Sequence, residues 1–341
     1  MGGRKRSDEQ LQLFDLGPRA ENAEEAGGIG PAPVSAEVEE LGRELPRGVY
    51  LGGSTWSFPG WAGLVYDREY PQGRLAREGL AAYAKHPLLR AIGVDRTHYA
   101  PVAAAELARY AEQVPDDFRF LVKAHEACTL TRYPDHPRYG AQRGQPNPLY
   151  LDPAYAAEQV VAPYVEGLGE KGGALLFQFA PQDVGTPAGF AAELRAFLTA
   201  LPRGPVYAVE LRNRELLTPE YADALAAAGA CHCHNAYPRM PEIRVQARLA
   251  GSDGSNGGPA TIVRWLLAPG MTYEAAGRLY APFNRLAAVD ENARRAIAEL
   301  TRDALSAGRP AIVTVNNNAE GSAPLSIEGL AREIVRVTRG G

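Results

Sequence analysis

Short β-branched or aromatic runs alternate with alanine-rich helical stretches from Val49 onward, and this alternation constrains the fold more than any other feature. The predicted strands are residues 49–57, 91–99, 118–125, 173–181, 206–213, 230–237, 261–267 and 311–318. Repeated strand–helix alternation is typical of a parallel α/β fold. Eight strands in a body of about 290 residues favour a (β/α)8 TIM-type barrel over an open doubly wound sheet. No GxGxxG motif follows the first strand, so a dinucleotide-binding fold is not indicated.

The first 47 residues differ in composition and are predicted to form a disordered acidic tail. They are rich in Glu, Ala, Gly and Pro, and they offer no apolar face to bury. We therefore divide the chain into a tail over residues 1–47 and a barrel domain over residues 48–341. The tail carries 6 basic and 10 acidic side chains, which accounts for the whole net charge of −4. The neutral body argues against indiscriminate coating of nucleic acid, but it leaves room for a local basic pocket.

The composition also bears on cellular location. No apolar run approaches the roughly 18–20 residues of a membrane span. The N-terminal segment lacks the apolar stretch of a secretory signal, so we expect a cytoplasmic protein that makes no use of a membrane. The three cysteines, Cys128, Cys231 and Cys233, are too few and too odd in number for a disulfide scaffold.

Polar and aromatic side chains follow the predicted strands, at the end where barrels of this type carry their active sites. Side chains two residues apart share one face of a strand. Glu210 therefore groups with Arg212, and His232 groups with His234. If these faces point into the mouth of the barrel, the mouth holds carboxylates, cations, imidazoles and amides together. The sequence thus predicts one ionic pocket there.

The residue types in this pocket suit proton transfer on an anionic ligand. The candidate catalytic residues are Glu210, Asp95 and Lys123, with Asp95 or Glu210 transferring the proton. The candidate ligand-binding residues are Ser54, Trp56, Thr97, Tyr99, Gln178, Arg212, Arg264, Asn316 and Asn317. Two alternatives stay open: Glu210 and Arg212 can form a purely structural ion pair, and Trp56 can pack over the barrel instead of stacking on a ligand.

His232 and His234 form an HxH pair, which is a weak candidate for a metal site. A divalent metal is the one cofactor that the sequence suggests, and it would need a third and a fourth ligand. The long segment 128–150 is rich in Pro and aromatic residues and separates the third strand from its helix. Long loops at this end of a barrel are often functional lids, whereas a plain surface excursion is the alternative.

Six motifs in order resemble the YecE-like family of domains of unknown function. They are GGSTWSFPGWAG, DRTHYAP, FRFLVKAHEACT, GALLFQFAPQ, AVELRN and NNNAEGSAP, spread over about residues 49–337. The resemblance implies a TIM-type barrel and supplies no reaction. The family's recurrent positions fall on Ser54, Trp56, Thr97, Tyr99, Lys123, Gln178, Glu210, Arg212, Asn316, Asn317 and Gly321, and Arg264 matches a seventh-strand arginine. One departure concerns the second strand, where Gly93 replaces a common glutamate and Asp95 a common asparagine.

A short peptide in the tail, Gln10-Leu11-Gln12-Leu13-Phe14, resembles the QLxLF-type peptide that binds the bacterial DNA sliding clamp. Leu13 and Phe14 would dock in an apolar groove while Gln10 satisfies backbone groups at its edge. The tail would then act as a tether that raises the local concentration on DNA. Chance occurrence is the alternative, because a pentapeptide is a small target.

Three functional interpretations remain open from the sequence. The first is an enzyme that acts on an anionic, phosphate-bearing ligand, linked to DNA repair through the clamp, with nucleic acid as one candidate ligand. The second is a hydrolase, isomerase or lyase that acts on a phosphorylated or sugar-like small molecule. The third is a non-catalytic adaptor whose barrel binds a ligand or a protein.

Overall fold

The computed structural model describes residues 27–252 and 257–339, in which eight parallel strands close into a barrel. The strands are β1 (Val49–Gly53), β2 (Ala91–Val94), β3 (Arg119–Lys123), β4 (Gly172–Phe179), β5 (Tyr207–Leu211), β6 (Cys231–Ala236), β7 (Thr261–Trp265) and β8 (Ala311–Val315). Each strand pairs with the next in chain order. β8 then pairs with β1, with Val49 opposite Ala311. The predicted TIM-type barrel is confirmed.

Helices surround this barrel on the outside. They are α1 (Ala36–Glu44), α2 (Gln72–Glu78), α3 (Leu80–Tyr83), α4 (Ala104–Ala111), α5 (Pro153–Ala156), α6 (Ala162–Leu168), α7 (Pro187–Ala200), α8 (Pro219–Ala228), α9 (Ile243–Leu249), α10 (Tyr273–Tyr280), α11 (Glu291–Ser306) and α12 (Ala323–Arg339). A π-helical turn, Ala157–Val161, joins α5 to α6. Within the two described ranges, no helix combines the length and the apolarity that crossing a bilayer requires.

All eight predicted strands exist, but each prediction continues past the observed C-terminal end. The polar residues that follow several strands form short 3-10 helices instead of extended chain. These turns are Arg96–His98, Glu126–Cys128, Arg214–Leu216 and Asn317–Ala319. The turns place polar side chains around the rim of the barrel, because they begin where the parallel pairing stops.

The barrel interior is apolar toward the N-terminal ends of its strands. Its core cluster is Ala91, Leu121, Ala174, Leu176, Ala208, Cys231, Cys233, Ala260, Ile262 and Ile312. Strand alternation then turns Lys123, Glu210 and Arg264, two residues beyond Leu121, Ala208 and Ile262, to the same inner face. The inner face therefore changes from apolar to charged toward the C-terminal rim.

The region before β1 corrects one prediction, the disordered tail over residues 1–47. Helix α1 lies inside that range. Val38 and Leu41 on the helix, and Leu45 directly after it, are buried against the body. The Ser35 hydroxyl accepts a hydrogen bond from the Val38 amide and caps the helix. The predicted disorder is therefore wrong for residues 36–44. The candidate docking residues Gln10, Leu11, Leu13 and Phe14 lie outside the described residues.

Candidate active site at the barrel mouth

Five charged side chains from the ends of β2, β3, β5 and β7 form one connected network. Arg212 Nε and Arg264 Nη1 each lie 2.6 Å from a different carboxylate oxygen of Glu210. One oxygen of Asp95 lies 3.7 Å from Arg264 and 3.3 Å from Lys123 Nζ. We call Arg212, Glu210, Arg264, Asp95 and Lys123 the ionic chain. The structure thus brings together all three predicted catalytic residues and two of the predicted anion-binding residues.

The ionic chain is almost completely buried. The side chain of Glu210 is 0% exposed, those of Lys123 and Arg264 are 5% exposed, and that of Asp95 is 16% exposed. Buried charges are costly unless opposite charges and hydrogen bonds compensate them. The chain contains two carboxylates and three cations, so its ionised form carries one uncompensated positive charge. This imbalance is the main electrostatic property of the site.

The ionisation of the two carboxylates follows from their neighbours. Burial alone would raise the pKa of Glu210, but Arg212, Arg264 and Lys123 together lower it to about 2. Burial also acts to raise the pKa of Asp95, and Lys123 and Arg264 outweigh it, so this pKa lies below its ordinary value. Both groups are carboxylates at neutral pH. With both oxygens bound to arginines, Glu210 fits the ion-pair alternative better than a role in proton transfer.

Lys123 differs from the rest of the ionic chain because it titrates near neutrality. Burial lowers the pKa of Lys123 to about 8, and the positive charges of Arg264 and Arg212 act in the same direction. Asp95 and Glu210 oppose this shift without cancelling it. An amine that exchanges its proton close to physiological pH can act as an acid, a base or a nucleophile.

An amide and two tyrosines complete the wall around the ionic chain. Gln178 Oε1 accepts hydrogen bonds from Arg264 Nη1 at 3.0 Å and from Arg212 Nη2 at 3.5 Å. The ring of Tyr237 lies 4.1 Å from the Arg212 guanidinium carbon, a cation–π contact. The pKa of Tyr273 is raised by burial and responds to the charges of Arg212 and Arg264, so this tyrosine also lies beside the ionic chain.

The sequence analysis did not select these two tyrosines. Tyr237 ends the predicted sixth strand, and this position at the rim was the signal that could have identified it. Tyr273 starts α10 after a loop, and no sequence pattern links it to the mouth. Its hydroxyl oxygen is buried and has no hydrogen-bond partner among the described residues, so its hydrogen-bonding capacity is unused there.

Two of the predicted ligand-binding residues have structural partners. Trp56 is 8% exposed, its Nε1 donates to the Leu75 carbonyl at 3.1 Å, and its ring packs edge-on against Tyr110. Packing is therefore the better interpretation of this indole. The Thr97 hydroxyl lies 2.6 Å from the Lys123 carbonyl and fixes the turn after β2 to the end of β3. This bond positions the backbone of Lys123.

The loop after β8 is also held by its own side chains. Asn317 Oδ1 accepts from Trp61 Nε1 at 3.1 Å and from the Ala323 amide at 2.9 Å. Asn316 Oδ1 accepts from the Asn318 amide at 2.9 Å. These amides shape the rim. Ser54 is different, since its buried hydroxyl has no hydrogen-bond partner in the described part of the chain.

The orientation that we expected for His232 and His234 is wrong. On β6 the inward side chains are those of Cys231 and Cys233, so the two imidazoles face the helices. His232 bonds to the Tyr221 hydroxyl at 2.9 Å and to Gln246 Oε1 at 3.2 Å.

His234 makes equivalent contacts in the same layer. Its ring nitrogens bond to the Ile262 carbonyl at 3.1 Å and to Ser252 Oγ at 2.8 Å. Both imidazoles therefore have two partners each. In residues 27–252 and 257–339, no group of three or more His, Cys, Asp or Glu residues could hold a metal ion, so the predicted metal pair gains no support.

The loop over residues 128–150 is connected to the mouth by an acidic residue. Arg138 Nη2 lies 2.7 Å from both carboxylate oxygens of Glu126, and the Tyr139 hydroxyl donates to one of them at 2.9 Å. The Arg138 guanidinium also lies 5.3 Å from the ring centre of Tyr99, the predicted ligand-binding tyrosine. The loop thus reaches the rim, while its function as a lid stays a prediction.

The fold and the site together define a (β/α)8 barrel with a buried, positively unbalanced ionic mouth. The chain belongs to the DUF72 family of proteins of unknown function, whose sequence model matches residues 50–339. The resemblance to YecE-like proteins is consistent with this family.

Two solved structures agree with the fold assignment. A DUF72 family protein from Thermotoga maritima is 18% identical to this chain, with a TM-score of 0.53. The alignment covers 85% of this chain and 99% of the Thermotoga maritima chain. A DUF72 family protein from Enterococcus faecalis V583 is 16% identical to this chain, with a TM-score of 0.51. The alignment covers 85% of this chain and 95% of the Enterococcus faecalis chain. None of the curated proteins matches the chain. At these identities the likeness concerns the fold alone.

Proposed function

We propose that this protein is an enzyme that binds an anionic, phosphate-bearing ligand at the barrel mouth and transfers protons there through Lys123 and Asp95. The observation that carries the proposal is the uncompensated positive charge of the ionic chain. A ligand with one negative charge would neutralise it. Arg212 and Arg264 each have five N–H donors, more than Glu210 and Gln178 occupy, so donors remain for ligand oxygens.

The proposal assigns different tasks to the members of the ionic chain. Glu210 holds both guanidinium groups in place, and the arginines bind the anion. Lys123 and Asp95 lie 3.3 Å apart and form the pair that exchanges a proton with the ligand. Tyr237, stacked on Arg212, would contact an apolar or ring portion of the same ligand.

Titration calorimetry with inorganic phosphate at low ionic strength tests the charge argument. Lys123→Met removes the excess charge, whereas Asp95→Asn doubles it. A unit charge at about 5 Å contributes roughly 3 kcal/mol at an effective dielectric constant near 20. We therefore expect phosphate affinity to fall at least tenfold in the first variant and to rise in the second. Equal affinities in both variants and the parent would refute the proposal.

The second interpretation, a hydrolase, isomerase or lyase that acts on a phosphorylated or sugar-like compound, uses the same residues. The amide of Gln178 and the buried hydroxyls of Ser54 and Tyr273 favour it, because they could bond ligand hydroxyl groups. An adaptor would bind the anion without converting any compound. Turnover of a phosphorylated substrate that Lys123→Met abolishes would separate the enzyme from the adaptor.

The link to DNA repair depends on the tail peptide. We propose that residues 10–14 dock on a bacterial sliding clamp in the cytoplasm, with Leu13 and Phe14 in an apolar groove. Binding of the full chain to purified clamp should be lost in a Leu13→Ala, Phe14→Ala variant. Gln12→Ala is the matched control, since the QLxLF pattern leaves this position open. Unchanged binding in the double variant would overturn the docking proposal.

A further inference from the structure

We propose that Lys123 forms an imine with the carbonyl group of its substrate, an anionic carbonyl compound. This inference rests on the proposed function, because the ionic chain would hold the anionic end of the same molecule. The uncharged Nζ attacks the carbonyl carbon, a C=N bond forms, and the carbonyl oxygen leaves as water together with the two hydrogens of the amine. The imine nitrogen then takes up one proton from solvent. No oxidant or reductant is required. The protonated imine then withdraws electrons from the bond next to the former carbonyl carbon.

Lys123 is placed for this role by its strand and by its neighbours. It ends β3 on the inner face, and the Thr97 hydroxyl bonds to its carbonyl at 2.6 Å. Among the described residues, Asp95 is the one carboxylate within 4 Å of Nζ. An ammonium carries three donor hydrogens, so this contact leaves donor hydrogens for a ligand.

The other side chains of the mouth and interior are poor nucleophiles by comparison. Arg212 and Arg264 are guanidinium groups that stay protonated and are bound to Glu210. Cys233 lies in the apolar interior, and burial raises the pKa of its thiol well above the ordinary value. Lys123 is therefore the amine that the mouth offers as a nucleophile.

Burial, rather than the surrounding charges, favours the uncharged form of Lys123. The groups that face it are Asp95 and His98 after β2, Glu126 after β3, Glu210 and Arg212 at the end of β5, and Arg264 on β7. Their combined effect with burial is a pKa of about 8. An amine placed next to other cations and shielded from water is the usual arrangement of lysines that form imines.

The substrate class follows from combining this amine with the unbalanced charge. The carbonyl must lie within a few bonds of a carboxylate or a phosphate, so that one end reaches Lys123 while the other reaches the arginines. Both a 2-oxo acid and a phosphorylated ketone have this chemistry. Pyruvate serves as the probe for a 2-oxo acid, and dihydroxyacetone phosphate serves as the probe for a phosphorylated ketone.

Borohydride trapping tests the inference on the full chain. Borohydride reduces an imine to a stable secondary amine, so each adduct is fixed and can be mapped by mass spectrometry. The sequence contains four lysines, Lys5, Lys85, Lys123 and Lys171. We expect one adduct per chain on Lys123 with at least one probe, and trapping should become faster as the pH rises through about 8.

Two variants make the result specific. Lys123→Arg keeps the positive charge beside Asp95 but cannot form an imine, so it should abolish the adduct and retain phosphate binding. Lys85→Arg, which changes a lysine outside the mouth, should leave the adduct unchanged. An adduct on Lys123 with pyruvate alone indicates a carboxylate substrate, and one with dihydroxyacetone phosphate alone indicates a phosphate.

The outcomes separate this inference from the proposed function. Phosphate binding that depends on Lys123, together with no adduct from either probe, would overturn the imine and leave the anion site standing. Adducts spread equally over all four lysines would also overturn it. Trapping on Lys123 by pyruvate without any phosphate binding would support the imine and refute the phosphate-bearing ligand.

Discussion

Replacing Glu210 with glutamine removes the carboxylate that two buried arginines share. In Glu210→Gln the side-chain shape is nearly unchanged, but Arg212 and Arg264 each lose a negative charge 2.6 Å away. Removing one partner of a buried ion pair costs about 3–5 kcal/mol. Because the amide keeps one acceptor oxygen, we expect the lower end of this range, about 3 kcal/mol of unfolding free energy. Urea unfolding followed by far-UV circular dichroism measures the loss.

The pH dependence of this loss has a definite sign. The folded pKa of Glu210 is about 2, below the ordinary value of 4.5. The stability that the carboxylate contributes is therefore fully present above pH 4.5 and disappears as the pH falls toward 2. The difference between parent and variant should shrink over this window.

A matched control removes a carboxylate from the surface. Glu328→Gln breaks an ion pair with Arg332 on α12, where the Glu328 side chain is 28% exposed and that of Arg332 is 42% exposed. This change should cost less than about 0.5 kcal/mol. A loss below about 1 kcal/mol in Glu210→Gln at neutral pH would refute the reasoning about the buried pair.

Three further predictions concern the barrel and its surroundings. Gly52→Ala would place a Cβ atom 1.8 Å from the Ala91 carbonyl oxygen. We therefore expect the free energy of unfolding in urea to fall by roughly 3 kcal/mol. A fall of less than about 1 kcal/mol would contradict the close approach of β1 and β2. Leu41→Ala should lower the free energy of unfolding by about 3 kcal/mol, because it removes the contacts of α1 with the body. Glu39→Ala, which changes an exposed residue of the same helix, is the control. Equal losses in the two variants would show that α1 is not packed. The folded pKa of His232 is about 4 against an ordinary 6.5, so stability falls as the pH drops through this range, and His232→Gln should remove about 1.4 kcal/mol of that fall per pH unit. Unfolding curves measured across the window test this, and an unchanged pH slope would contradict it.

The barrel could be predicted from the sequence because its signal repeats. Eight β-branched or aromatic runs separated by helical segments leave few alternatives to a closed parallel sheet. Helix α1 could not be predicted in the same way. Its apolar face consists of Val38 and Leu41, with Leu45 directly after it, within a segment of Glu, Gly and Pro, and only packing against the body makes that face stable.

The candidate site, too, could be predicted only in part from the sequence. Strand alternation correctly grouped Glu210 with Arg212, and His232 with His234. Alternation indicates which residues share a face, but it does not indicate which face is the inner one. On β5 the charged residues lie inside, whereas on β6 the inner positions belong to Cys231 and the histidines face the helices. Long-range contacts decide this, and a single sequence does not contain them.

The departure at the second strand has a structural counterpart. Gly93 occupies the inner face, at the position where the YecE-like resemblance implies a glutamate, and Asp95 follows two residues later. Asp95 contacts Lys123 and Arg264, so the mouth of this barrel retains a carboxylate from its second strand. The neighbouring Ser54 backbone lies 3.3 Å from where a Gly93 Cβ would be, which leaves little room for a larger side chain.

Anomalous diffraction from a crystal soaked in selenate tests the central claim most directly. Selenate has the shape and charge of a phosphate-like anion, and its position can be located without bias from the coordinates. The account predicts the strongest anomalous peak at the C-terminal rim, within hydrogen-bond distance of Lys123 Nζ and an Arg264 or Arg212 nitrogen. Peaks confined to arginines on the outer helices, with none at the rim, would contradict it.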